Sequence, residues 1–249
     1  MKYARFIVCV FNESRKEFMM SKIFDDCFDV TIKALQKDGL IKEVDAKEYK
    51  NIKLSAFMKF KVDQYEVKDF GNMSVMRLNM GLMKMLTVVF SPFKKDMPLL
   101  SLDFMIVGGV RKYYAEFYEL VDDKNEMHKE WLGKYNAIIA KYSDLQSFSA
   151  KEAWYEPLLC SVAYKQFKSG QDLRFMEFHT ELLGKYIEAI KTYPLIEEGR
   201  SLTKKRLIKE YSDNLIDKGG ISTDTFKKKL GADVTRDFFD KVFFGAGIY

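Results

Sequence analysis

The stretch Leu99-Leu100-Ser101-Leu102-Asp103-Phe104-Met105-Ile106-Val107, then Gly108-Gly109, then Val110-Arg111-Lys112-Tyr113-Tyr114-Ala115-Glu116-Phe117-Tyr118-Glu119-Leu120 reads as two β-strands joined by a two-residue turn. Two glycines between β-rich runs supply the positive φ angles that tight hairpin turns need. One face of the first strand carries Leu100, Leu102, Phe104 and Ile106, and the other carries Ser101, Asp103, Met105 and Val107. Both faces are largely apolar, which predicts a cover on each side of the sheet. Asp103 stands in the middle of this strand. Desolvation there raises a carboxyl pKa, which is what a proton donor needs near neutral pH, although a buried Asp satisfied by hydroxyl or backbone donors is the equally ordinary alternative.

Upstream of the hairpin, Phe24, Phe28, Ile32 and Leu35 recur at helical steps, predicting an amphipathic helix over 21–40 closed by Gly39. Residues 51–62 alternate in part with period two, and Leu86–Phe90 is a short β-rich run ending at Ser91-Pro92, so both predict strands. Residues 73–85 fit either period, and continuity with Leu86 favours a strand. Downstream the pattern turns helical over 126–142, returns to a strand over 157–167, and then predicts helices over 172–193, 202–216, 223–230 and 234–244. Strands gathered first and helices last is the α+β pattern, with an antiparallel sheet carrying helices on both faces.

The chain has 249 residues with a formal charge of +5, and with only 4 Pro and 14 Gly it reads as one domain over 1–249. Its 47% hydrophobic content excludes a disordered tail, and its 21 Phe, 14 Tyr, 2 Trp and 13 Met fit either a core of large residues or a cavity for a large flat ligand. Cys9, Cys27 and Cys160 are odd in number and widely spaced, so neither a disulfide framework nor a cysteine metal site is indicated and the thiols read as reduced. The apolar run over 3–11 is too short for a signal peptide or a bilayer span, and the expected location is cytoplasmic, with no membrane partner.

The two histidines are isolated. His128 reads as a surface residue and His179 as a satisfied structural one, which leaves little scope for a histidine metal site or triad. Gly108-Gly109 is a turn, and Gly219-Gly220 follows no strand, so no phosphate-cradling loop is present. Between Arg200 and Leu230 nine basic residues face four acidic ones, an excess equal to the charge of the whole chain. Nucleic acid, an anionic membrane or a small acidic protein would fit such a segment, and solvated helix faces explain it without any partner.

The segment Phe90-Ser91-Pro92-Phe93-Lys94-Lys95-Asp96-Met97-Pro98-Leu99-Leu100-Ser101-Leu102-Asp103, followed by its hairpin, resembles the ferredoxin-dependent bilin reductases, relatives of red chlorophyll catabolite reductase. Tyr211–Asp217, Phe226–Gly231 and Phe238–Gly245 are similar to the closing helices of that family. The resemblance implies a three-layer α/β/α sandwich with a central antiparallel sheet and an open-chain tetrapyrrole held between the sheet and the C-terminal helices. It further implies radical reduction of a biliverdin-type substrate, with single electrons from reduced ferredoxin as the external donor, no intrinsically bound cofactor, and no metal. Asp103 would be the central proton donor and Asp217 a second acid, with Asp213 the alternative.

The chain departs from the family at several points. Leu86 stands where members often carry His or Asn, no acid corresponds around Ser74–Asn79, and Ala163 replaces a basic residue that meets a bilin propionate, with Lys165, Lys168 or Arg77 as substitutes. Ferredoxin would dock on the basic C-terminal surface of a monomer. The competing readings are a non-catalytic tetrapyrrole-binding protein and a nucleic-acid module, the latter lacking any recognised motif.

Overall fold

The computed structural model describes residues 19–81, 83–121, 124–220 and 222–247. Cys9 and the apolar run over 3–11 lie outside them. The first helix, α1 (Met19–Lys37), buries Phe24, Cys27, Ile32 and Leu35 along one stripe. It ends where Gly39 N–H reaches Gln36 O and Leu40 N–H reaches Leu35 O, the pairing that closes helices on a glycine.

Nine strands follow: β1 (Ile41–Val44), β2 (Asn51–Lys53), β3 (Lys59–Val67), β4 (Gly71–Asn79), β5 (Met83–Pro92), β6 (Leu99–Val107), β7 (Val110–Tyr118), β8 (Gln146–Ser147) and β9 (Leu159–Phe167). They form one antiparallel sheet in the order β1-β3-β4-β5-β6-β7-β9-β8, with β2 also on β3. Gly108 and Gly109 both take positive φ, +56° and +85°, as the turn between β6 and β7 requires. The strand expected over 51–62 is instead two strands. Ser55 Oγ accepts from the backbone N–H of Phe57 and Met58 and folds the chain back between them. The ambiguous segment over 73–85 is likewise extended, but as the end of β4 and the start of β5.

The helices are α2 (Glu126–Lys141), α3 (Asp172–Thr192), α4 (Glu198–Lys218), α5 (Thr223–Leu230) and α6 (Ala232–Phe238). The last expected helix widens its hydrogen-bond spacing at its end, because residues Phe239–Phe243 form a π-turn in which Phe244 N–H reaches Phe239 O. Helices α1, α2 and α3 cover one sheet face, packing Phe24, Tyr135, Phe175, Phe178 and Tyr186 against Val88, Leu102, Phe104 and Phe117. Helices α4, α5 and α6 cover the other, packing Ile208, Tyr211, Phe226 and Phe238 against Phe60, Val62, Met76 and Val89. The architecture is therefore the expected α+β sandwich with helices on both faces. Each buried large side chain contributes about 1.5–3 kcal/mol, so both layers are strongly held to the sheet. Among the described residues no helix is long and apolar enough to cross a membrane.

Polar clamps fix the layers in register. Buried Arg111 on β7 forks onto Asp172 at the start of α3, with Nε 2.7 Å from Oδ1 and Nη2 donating to Oδ2 at 3.0 Å. Buried Lys204 on α4 donates to the carbonyls of Met97 and Leu120 and sits 3.4 Å from Asp96. The C-terminal turn is stapled to the sheet by Gln64 Nε2 to Lys241 O at 2.9 Å, Asn72 Nδ2 to Val242 O at 3.1 Å and Ser74 Oγ to Phe243 O at 2.6 Å.

Candidate active site

Between the sheet and the C-terminal helices lies a cavity of about 760 Å³. Side chains alternate across a strand, so the residues of β6 that face it are Ser101, Asp103 and Met105, while Leu102 and Phe104 enter the opposite core. The antiparallel register then sets a row across the floor: Met76, Thr87, Asp103, Tyr114 and Tyr164 lie side by side on five strands. The next row brings Val89, Ser101 and Glu116 together. Tyr211 and Leu215 of α4, Phe226 of α5 and the turn residues Phe239, Phe243 and Phe244 form the roof. The segment Phe148–Glu156 forms the side wall. Trp154 anchors it, donating from Nε1 to Gly219 O at 2.8 Å with the Lys218 ammonium over its ring.

Asp103 is half-buried, reaching open space only through the cavity. Thr87 Oγ1 donates to its Oδ1 at 2.5 Å and Ser101 Oγ to its Oδ2 at 3.3 Å. Burial pushes its carboxyl up to about 6, helped by the negative charge of Glu116 and opposed by the two hydroxyl donors. Desolvation is the largest of these effects, so the group holds or gives a proton close to neutrality.

Glu116 is the second carboxylate on the floor. It is 9% exposed and accepts from Tyr118 Oη at 2.6 Å and Tyr164 Oη at 2.9 Å. The Tyr211 ring lies tilted against Tyr118, with centroids 4.7 Å apart, and shares a hydrogen bond with it. Burial raises the phenol pKa values of Tyr118 and Tyr211, and pushes Tyr155 to about 12, so these rings stay neutral hydrogen-bonding groups.

The other acids singled out in the sequence lie elsewhere. Asp217 is exposed on α4 and accepts from Arg236 Nη2 at 2.9 Å; Asp213 accepts from Arg236 and from Lys209. Neither lines the cavity with Asp103. Leu86 faces the opposite core, and its neighbour Thr87 is the residue across from Asp103, because one residue of register reverses the face. Ala163 also faces that core.

None of the three substitute cations reaches the cavity. Lys165 is buried against the carbonyls of Tyr142 and Leu145, Arg77 pairs with Asp63, and Lys168 is exposed. Lys151, on the rim, is the one basic residue among the described residues that line the space.

His128 is buried, 2% exposed, with Nε2 3.3 Å from Glu119, so it is not the surface residue expected. His179 is buried as expected, with Nδ1 3.0 Å from Tyr113 Oη and Nε2 3.4 Å from Thr31 Oγ1, on the far face of the sheet. Cys27 and Cys160 are free thiols.

The basic C-terminal segment is largely consumed by the fold. Lys204 is buried, Arg200 pairs with Asp96, Lys209 with Asp240, and Lys227 donates to Ile216 O. Lys228 and Lys229 remain exposed on α5.

Glu116 and Thr87 were not singled out in the sequence. Glu116 carried a readable signal: across a two-residue turn at Gly108-Gly109, it is opposite Ser101 and therefore shares a face with Asp103.

No family model matches the chain, and no curated protein sequence matches it. Among solved structures it is similar to phytochromobilin synthase from tomato in complex with biliverdin, with a TM-score of 0.70 and 13% identity over 88% of this chain and 82% of that one. At that identity the likeness is one of fold.

Proposed function

We propose that this protein is a ferredoxin-dependent oxidoreductase that reduces a biliverdin-type linear tetrapyrrole by single-electron and proton transfers, with Asp103 as proton donor. The observation that carries the reading is a carboxyl with a pKa near 6 on the floor of a cavity of about 760 Å³. A space of that size lies within the range of about 300–1,000 Å³ that buries a small organic ligand. The aromatic roof and Met76, Met85 and Met105 suit a flat conjugated ligand. The fold it shares with a protein solved with biliverdin agrees with that class of ligand.

The chain's own residues account for the protein side of such a reaction. The roof and side wall exclude water, which strengthens the electrostatics inside. Asp103 releases its proton from Oδ as the reduced ligand gains electrons from the external donor, and Thr87 and Ser101 hold the resulting carboxylate. Arg206, Lys218, Lys228 and Lys229 are the exposed part of the basic segment available for an acidic donor such as ferredoxin.

Anaerobic incubation with biliverdin followed by reduced ferredoxin tests this reading. The expected result is a structured bound-bilin absorption band that shifts or bleaches on reduction to an identifiable product, with Asp103→Asn binding equally but halting at a bilin radical seen by electron paramagnetic resonance. No band with biliverdin or any related linear tetrapyrrole overturns it. A band that reduced ferredoxin leaves unchanged supports a non-catalytic tetrapyrrole-binding protein, the reading favoured by Asp217 facing Arg236 instead of the cavity.

A further inference from the structure

Glu116 is an expensive residue to keep. It lies on the inner face of the sheet, 9% exposed, and both of its oxygens accept from phenols, with no lysine or arginine bonded to it among the described residues. Burying a carboxylate without a cationic partner is costly even when hydroxyls donate to it, so a site that retains one beside a second acid is marked for function more than for stability. Its place is fixed by the hairpin. Ser101 is directly opposite Glu116 and Asp103 directly opposite Tyr114, so the two acids are diagonal neighbours on adjacent strands. Such positions stand about 7–8 Å apart, within Coulomb reach of each other.

We propose that Glu116 is a positioning residue of this site, forming with Asp103 a diagonal carboxylate pair in which its charge governs how readily Asp103 gives up a proton. Two phenol donors, Tyr118 and Tyr164, hold the Glu116 carboxylate in place, and the hydroxyls of Thr87 and Ser101 serve Asp103. When Asp103 gives that proton to an acceptor, the pair is left with two negative charges in one cavity. It then regains a proton from water at the mouth, which returns the pair to its starting state. The remaining ionisable groups around the pair are the phenols of Tyr114, Tyr155 and Tyr211 and the Cys160 thiol, with Lys151, Glu152 and Glu156 at the rim. The Glu116 charge raises the proton affinity of Asp103. The identity of the acceptor rests on the bilin reading above; the pair does not.

Infrared spectroscopy of the ligand-free protein, following the protonated-carboxyl C=O band against pH, tests the pair without any reaction. A band absent from Asp103→Asn should titrate near pH 6 in the native protein. In Glu116→Gln its midpoint should fall by about one pH unit. Tyr164→Phe keeps the charge and the ring but removes one donor. Its Asp103 midpoint should therefore stay near pH 6. An unchanged midpoint in Glu116→Gln, or a midpoint in Tyr164→Phe that falls as far as in Glu116→Gln, overturns the pair. Failure to bind a bilin would instead overturn the functional reading and leave the infrared result standing.

Discussion

Thr87 Oγ1 donates to Asp103 Oδ1 at 2.5 Å across neighbouring strands of the cavity floor. The donor stabilises the charged form of an acid that burial has pushed the other way. Thr87→Val keeps the shape and removes the hydroxyl. A hydrogen bond to a charged group is worth about 1.5–3 kcal/mol, so the Asp103 pKa should climb from about 6 by roughly one further unit. Carboxyl infrared titration checks this, and the sign is opposite to that expected for Glu116→Gln. A downward shift in Thr87→Val would show that the hydroxyl is not serving as the donor.

The same group makes stability depend on pH. The folded-state pKa of Asp103 is raised from 3.8 to about 6, so between those values the folded protein binds more protons than the unfolded chain. Stability therefore declines as pH rises through that window and stays level above it. Asp103→Asn removes the penalty and should be more stable than the native protein by about 3 kcal/mol well above pH 6, with the gain gone below pH 4. Urea denaturation at pH 7.5 and pH 3.8 measures the two limits. A variant less stable at both would contradict the assignment of the penalty to Asp103.

How far the sequence carries is visible in these two residues. The Gly108-Gly109 turn fixes the register of β6 against β7, and with it the face shared by Asp103 and Glu116, from local information alone. The register of β5 against β6 depends on the loop through Pro92 and Pro98, which has no such rule. That register sets Thr87, and not Leu86, across from Asp103. Asp217 was placed by helix similarity, and the partner that settles its orientation, Arg236, lies on a different helix. The fold class was legible because strand and helix periods segregate along the chain. The basic segment was legible as charge but not as surface, since the burial of Lys204 against Met97 O and Leu120 O is a long-range event.

His179 gives a pH effect of the other sign. Burial between Thr31 and Tyr113 lowers its pKa from 6.5 to about 4, so the unfolded chain binds more protons in that window and stability is lost as pH falls through it. The loss amounts to about 3 kcal/mol by pH 4. Over the shared range the Asp103 and His179 slopes oppose each other. Between pH 4 and pH 6, Asp103→Asn should therefore weaken more steeply on acidification than the native protein does. Parallel denaturation series at half-unit pH steps check this, and parallel curves for the two proteins would count against it.

Gly245 ends the turn that closes the cavity, at φ +74°, and a Cβ there would come within 2.5 Å of Asn72 Cγ. Asn72 cannot yield without cost, because it accepts from Gln64 Nε2 at 2.8 Å and donates to Val242 O at 3.1 Å. Gly245→Ala should therefore destabilise by about 1–3 kcal/mol from backbone strain, with more from the disturbed staples. The damage should be local, since Phe239, Phe243 and Phe244 of the same turn form the roof. Hydrogen exchange is expected to speed up over residues 239–247 and to leave β6 protected. Asn72→Ala removes two of the clashing atoms, Cγ and Nδ2, and leaves Cβ at 2.8 Å, so the double variant should be less destabilised than the sum of the two single changes. Additive effects would show that the backbone angle alone, and not the contact with Asn72, demands glycine at this position.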